Sequence, residues 1–289
     1  MFDFRYHALS LIAVFVALVL GLLLGVAIGD KGLVSSAENN IKESLRADVR
    51  AEQKKVAGLN DQLAQKDKFE QEVYPLLVDG QLTDRKIGVV FLGQSSDDVN
   101  NDVANALASS GGKRVGAVEV REPLNLDDLA ARASGTRYET LNAGNDDKLL
   151  EAFGTRIGVQ LTRGGKLLTR ERRSLFSAVA GSLGPYDGVV VSRHLPDGIS
   201  GDDLHRVNVF EQGLIHGLTA GDVEVVGVER SADDPTQVPW YRTQGLSTVD
   251  NLDQTSGQAA LVFLLAGKTD GAFGVHQARL LPDIVGGVG

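Results

Sequence analysis

Cysteine is absent from the 289 residues, and the only methionine is Met1. Disulfides, thiolate metal sites and thiol nucleophiles are thereby excluded, and copper finds no thioether ligand after the first residue. Positive charge is also scarce: 29 Lys and Arg stand against 38 Asp and Glu, for a net charge of −9. A surface that neutralises phosphates clusters cations, so nucleic acid is not an expected partner. The five histidines, His7, His194, His205, His216 and His276, are scattered. On one helix His205 and His216 would stand roughly 16 Å apart along the axis, too far to share an ion. Nothing in the chain evidently calls for a cofactor.

What the chain does have begins at its N-terminus. From Ala8 to Ile28 it runs ALSLIAVFVALVLGLLLGVAI without a charge. At about 1.5 Å per residue this run crosses roughly 30 Å of hydrocarbon, and it is longer than the apolar core of a secretory signal. The expected order is a cytoplasmic tip over 1–7, a transmembrane helix over 8–29 and everything later on the other side of the bilayer. Arg5 and the free amino terminus before the span bias the N-terminus toward the cytoplasm. Small residues recur every fourth position at Ala13, Ala17, Gly21, Gly25 and Gly29. On a helix they form one line along which a second backbone packs closely.

Residues 30–78 read as a helical coiled-coil stalk. Gly58 is the single glycine between Val34 and Leu77, Pro75 the single proline, and Glu, Lys, Gln, Ala and Leu dominate. An apolar seam follows Ile41, Leu45, Val49, Val56, Leu59, Leu63, Phe69 and Val73, heptad-like from Val49 to Leu63 and stepping by four residues before it. Glu38 and Lys42 form an i,i+4 pair on the flank. So long an amphipathic helix needs a cover for its stripe, whether a second copy, a partner coiled coil or its own domain.

From residue 79 to 289 short β-rich runs alternate with helical segments, the texture of an α/β domain with Rossmann-like layers and a mainly parallel sheet. Ile87–Leu92 and Val189–Val191 are continuously apolar, as strands buried on both faces are. Val115–Val120 and Val223–Val228 are further strands, and 98–109, 147–153, 170–180, 203–218 and 254–266 carry helical spacing. Gly93, Gln94, Ser95 and Ser96 follow the first strand, where open α/β sheets bind ligands, but without a GxGxxG pattern or a Walker lysine. That loop is a weak ligand candidate and reads more simply as a strand-to-helix connection. Asp97-Asp98, Asp146-Asp147, Asp202-Asp203 and Asp233-Asp234 fall at helix starts or in loops, where carboxylates complement the helix dipole. Ser247 and Ser256 lie in no nucleophile elbow, and no enzyme is expected.

Both ends of the chain carry a resemblance. Phe4-Arg5-Tyr6-His7, then Ser10 to Phe15, Ala17-Leu18, Gly21-Leu22 and Leu24-Gly25 form its first part. Ser247-Thr248-Val249-Asp250-Asn251-Leu252-Asp253 and Gly257 to Val262 form its second, with Gly271-Ala272-Phe273-Gly274 and Leu281-Pro282 at the close. Together these resemble the actinobacterial family of the mycobacterial copper transport protein MctB, with Phe273 at a position expected to be tyrosine. The resemblance implies a membrane protein of the cell envelope with a role in copper homeostasis or export. It also implies an alternative, because a corynebacterial member acts in cell separation, its coiled coil engaging a regulator of a cell-wall hydrolase. It places no copper ligand on this sequence. A transmembrane barrel would need repeated amphipathic strands of about ten residues, and the strands here are few and alternate with helices.

Overall fold

The computed structural model describes residues 4–28, 31–144 and 146–283. The chain divides into two compact units, Met1–Lys68 and Phe69–Gly289.

Helix α1 (Phe4–Ile28) is continuous, and its segment Tyr6–Ala27 is long and apolar enough to cross a membrane. Ala13, Ala17, Gly21 and Gly25 are exposed on it, while Gly29 lies outside the described residues. A Cβ placed on Gly21 or Gly25 meets nothing within 4 Å, so this part of the small-residue line is open. Helix α2 (Lys31–Val78) runs for 48 residues, with Lys42 paired to Glu38 at 2.5 Å. Along it Ile41, Leu45, Val49, Val56, Leu59, Leu63 and Phe69 are exposed and Val73 is half-buried. The stripe is formed and exposed along the described part of α2. The final turns of α2 differ: Tyr74 and Val78 are buried in the second unit, and the Tyr74 hydroxyl donates to the Ala106 carbonyl at 2.7 Å. Burial raises the pKa of that phenol.

The second unit is built on a seven-stranded sheet in the order β3-β2-β1-β4-β5-β6-β7. Its strands are β1 (Lys86–Gly93), β2 (Lys113–Val120), β3 (Phe176–Gly181), β4 (Gly188–His194), β5 (Glu224–Val228), β6 (Ser247–Val249) and β7 (Ala272–Phe273). All neighbours are parallel except β2 and β3. Alternate residues of β1 supply two cores, Val90 and Leu92 on one face, Ile87, Val89 and Phe91 on the other, which is why the strand is apolar throughout. Over the first face lie α4 (Leu126–Arg132), α5 (Asp147–Arg163), α6 (Lys166–Leu175), α7 (Gly201–Thr219) and α8 (Val238–Thr243); over the second lie α3 (Asp97–Leu107), α9 (Thr255–Leu265) and the end of α2. Ser96, Asn125 and Asp146 cap α3, α4 and α5, each accepting from the backbone N–H three residues on.

The helix expected over 170–180 is corrected: α6 stops at Leu175, and Phe176–Gly181 is strand β3. Ala178, Val179 and Ala180 pair with Glu119, Val118 and Ala117, so the open edge of β2 overrides a helical spacing that is purely local. The helix expected over 147–153 continues to Arg163.

Between α5 and α7 the backbones touch. A side chain on Gly154 or Gly158 would run into the carbonyls of Phe210 and Leu214, and one on Gly213 or Gly217 into those of Glu151 and Thr155. Small residues spaced by four on both helices therefore remove the usual layer of side chains between α5 and α7, beside which Phe210, Leu214 and Leu218 are fully buried.

Candidate functional site at the carboxyl edge of the sheet

The strand order reverses between β1 and β4. From β1 the chain crosses to β2 on one side, and it returns to β4 on the other, leaving a switch point at the carboxyl ends of these two strands. Open α/β sheets characteristically bind ligands there.

Charged side chains are buried beside it. Arg193, the penultimate residue of β4, is 8% exposed, and its partner Glu211 on α7 is fully buried. The guanidinium donates through Nε to both Glu211 oxygens at 3.1 and 3.0 Å, through Nη1 to Gln237 at 2.7 Å and through Nη2 to Asn208 at 2.9 Å. It also stands 4.5 Å from the ring centre of Trp240, a cation–π contact. The backbone N–H of Arg193 donates to the Tyr241 hydroxyl at 2.8 Å, and that hydroxyl donates to the Val228 carbonyl at 3.2 Å. Burial raises the Tyr241 phenol far above its usual range, so it remains a donor. Glu229, beyond β5, accepts from Thr236 Oγ1 and the Gln237 N–H, both at 2.6 Å, and so holds the turn that presents Gln237 to Arg193. Burial is the main cause of its raised pKa.

Glu122, two residues beyond β2, completes the group. Both its carboxyl oxygens are shut away from solvent, and the carboxyl faces that of Glu211. Burial first, and the Glu211 carboxylate second, push its pKa up to about 9. Burial also raises Glu211, but Arg193 opposes it. At neutral pH Glu122 therefore holds a proton, while Glu211 is paired with Arg193 at 2.9 Å.

A pH dependence follows. Between about pH 4.5, the ordinary value, and about 9, the folded protein holds a Glu122 proton that the unfolded chain releases, so stability falls as pH rises through this window. Glu171, pushed up to about 7 chiefly by burial, adds to the lower part of that slope. Glu122→Gln is neutral at every pH and should match the wild type near pH 4.5 but exceed it at pH 8 by on the order of 2 kcal/mol. Urea midpoints of both full-length proteins from pH 5 to 9 check this; a wild-type slope surviving in the variant removes the assignment.

The loop expected as a weak ligand candidate reaches the same place. Gly93 has φ +84°, and a side chain on it would run into the His194 carbonyl, with Glu122 Oε2 3.2 Å from the Cβ position. The Gln94 N–H donates to that carbonyl at 2.8 Å, the Ser95 N–H to Glu119 at 3.1 Å, and Ser96 caps α3. These contacts are those of a firmly held strand-to-helix connection. The membrane-helix and seam residues belong to α1 and α2, elsewhere in the chain. Among the described residues no three His, Asp or Glu side chains form a metal-holding group, and His205 bonds Asp147 at 3.0 Å.

Glu122, Arg193, Glu211 and Trp240 were not anticipated from the sequence. The available signal was Arg193 itself, a cation at the end of an apolar strand. The late signature has its own explanation: Asp250 Oδ2 accepts from Gln277 Nε2 at 2.8 Å and the His276 N–H at 3.3 Å, and a side chain on Gly274 would collide with Asp250. Asp250 thus fastens the segment after β7, and Gly274 leaves room for it.

The family described as copper transport outer membrane protein, MctB, matches residues 1–280. Among curated proteins, none matches the sequence.

Proposed function

Because the chain belongs to the MctB family of copper transport outer membrane proteins, we propose that it is a single-pass, non-enzymatic component of envelope copper handling that acts by assembling with other helices. The uncovered stripe of α2 carries this reading: Ile41, Leu45, Val49, Val56, Leu59 and Leu63 expose apolar surface that water disfavours and a second helix would bury. The open glycine face of α1 supports it, since Gly21 and Gly25 leave room for another backbone in the bilayer. One helix cannot line a conduit, so copper would cross through an assembly to which this chain contributes. The N-terminus lies in the cytoplasm and the α/β unit outside, with Arg5 on the retained side.

Val56→Glu, Leu59→Glu and Leu63→Glu together should abolish helix-dependent association while leaving the α/β unit folded, because none of the three belongs to its core. Cells carrying this variant should accumulate copper as deletion cells do. Normal copper levels in both strains would remove the copper role. Normal levels with loss of cell separation would favour the second reading, a scaffold whose α2 engages a regulator of cell-wall hydrolysis. Association unchanged by the three charges would remove both.

A further inference from the structure

Helix α6 differs in charge from the acidic chain around it. Residues 152–186 carry six Lys and Arg side chains against one carboxylate, Glu171, although the whole sequence has a net charge of −9. Five positions of α6 are exposed, Lys166, Thr169, Arg170, Arg172 and Arg173, and four of them are cations. Glu171 is fully buried, so the one acid of the helix is withheld from that face. Among the described residues no hydrogen bond or ion pair engages the side chains of Lys166, Arg172 and Arg173. The helix dipole accounts for the two arginines of the last turn, but a cation at the first residue, Lys166, runs against it. Helix stability thus explains part of this face and opposes the rest.

We infer that the face docks electrostatically on the headgroup layer of a bilayer rich in anionic phospholipid. From Lys166 to Arg173 the charges span about 10 Å along a convex helix, too spread out to enclose one small anion and suited to a surface that carries many. No aromatic or aliphatic side chain is exposed on α6, so the helix rests on headgroups rather than inserting among acyl chains. A bilayer is the anionic surface at hand for a chain whose segment Tyr6–Ala27 is long and apolar enough to cross one. This docking needs charge alone, and it depends neither on copper nor on association through α2.

The chain has no cysteine, so Thr169→Cys places a single fluorophore in the middle of the face, and Ala108→Cys places one at the end of α3, over the other face of the sheet. Full-length protein held in phosphatidylcholine nanodiscs is mixed with vesicles that carry a headgroup quencher, made either of phosphatidylcholine or of equal parts phosphatidylcholine and phosphatidylglycerol. The anionic vesicles should quench the label at 169 saturably and leave the label at 108 bright, and about 0.5 M NaCl should abolish the effect by screening. Neutral vesicles should do nothing. Lys166→Gln, Arg170→Gln, Arg172→Gln and Arg173→Gln should each weaken binding about fivefold, and the four together by about a hundredfold or more, with thermal midpoints unmoved because all four side chains are exposed. Replacing the three arginines by lysine should change affinity by less than about twofold, since a headgroup layer reads charge density rather than a guanidinium fork. No quenching at 169 by anionic vesicles, equal quenching by neutral ones or at 108, or affinities indifferent to the glutamine substitutions overturns the assignment. Soluble polyphosphate bound at this face while anionic vesicles are ignored would give it to a polymer and likewise remove the bilayer.

Discussion

Gly158→Val should lower the thermal midpoint of the α/β unit by about 10 °C or more. The new methyls have nowhere to go: the Cβ position is already occupied by the Leu214 carbonyl, with the backbone of Gly217 and Leu218 immediately behind it. Backbone cannot rotate aside as the tip of a side chain can, so α5 and α7 must separate. Separation would also loosen Phe153, Ile157, Phe210 and Leu214, which are fully buried between these helices and the sheet. Overpacking alone costs about 1–3 kcal/mol, and the disturbed core adds to it. For a unit of this size each kcal/mol corresponds to about 2–4 °C. The contrasting variants are Gly21→Ile and Gly25→Ile on α1, where the space is open; they should leave this transition unmoved. Scanning calorimetry of the three proteins makes the comparison, and a Gly158→Val midpoint equal to wild type would show that the helices do not approach as described.

Arg193→Met should destabilise the unit by about 3–5 kcal/mol, the usual consequence of stranding one member of a buried ion pair. Glu211 would lose its cation while fully buried beside Glu122, and Gln237 and Asn208 would lose the donors they accept from. Lysine is a poor replacement, since an ammonium cannot meet Glu211, Gln237 and Asn208 together with the geometry of a planar fork. Adding Glu211→Leu to Arg193→Met should restore most of the loss, because an apolar pair of similar volume needs no charge compensation. Urea unfolding at pH 7 of the wild type, the two single variants and the double variant forms a closed cycle. Strictly additive losses would mean that the pair is not coupled.

The extent to which the chain could be read from its letters follows the range of the interactions involved. Strands β1 and β4 were legible because continuous valine, isoleucine and leucine identify burial on two faces, and α1 and α2 because their signals repeat over many turns. Strand β3 was not, since Phe176–Gly181 becomes a strand only through the free edge of β2. The loop Gly93–Ser96 was placed at the end of the right strand, but the residues that give this edge its chemistry lie elsewhere. Glu122, Arg193 and Glu211 come from three separate elements, and no spacing along the chain announces their meeting. The glycines of α5 and α7 were visible in principle, because both helices carry the same four-residue spacing noted in α1. Their partner was not, since a GxxxG step does not say which helix it faces.

The sequence by itself determined the elements whose cause is local: an apolar run long enough to satisfy its backbone inside a bilayer, a long helix with one apolar stripe, and strands apolar on both faces. Tertiary structure alone decided that the last turns of α2 join the α/β core through Tyr74 and Val78. It alone brought Glu122 beside the Arg193–Glu211 pair and made it a protonated acid at neutral pH. The physical reason is common to both: desolvation and charge pairing depend on what the fold packs around a side chain, and groups far apart in the chain become neighbours only once the sheet has ordered its strands.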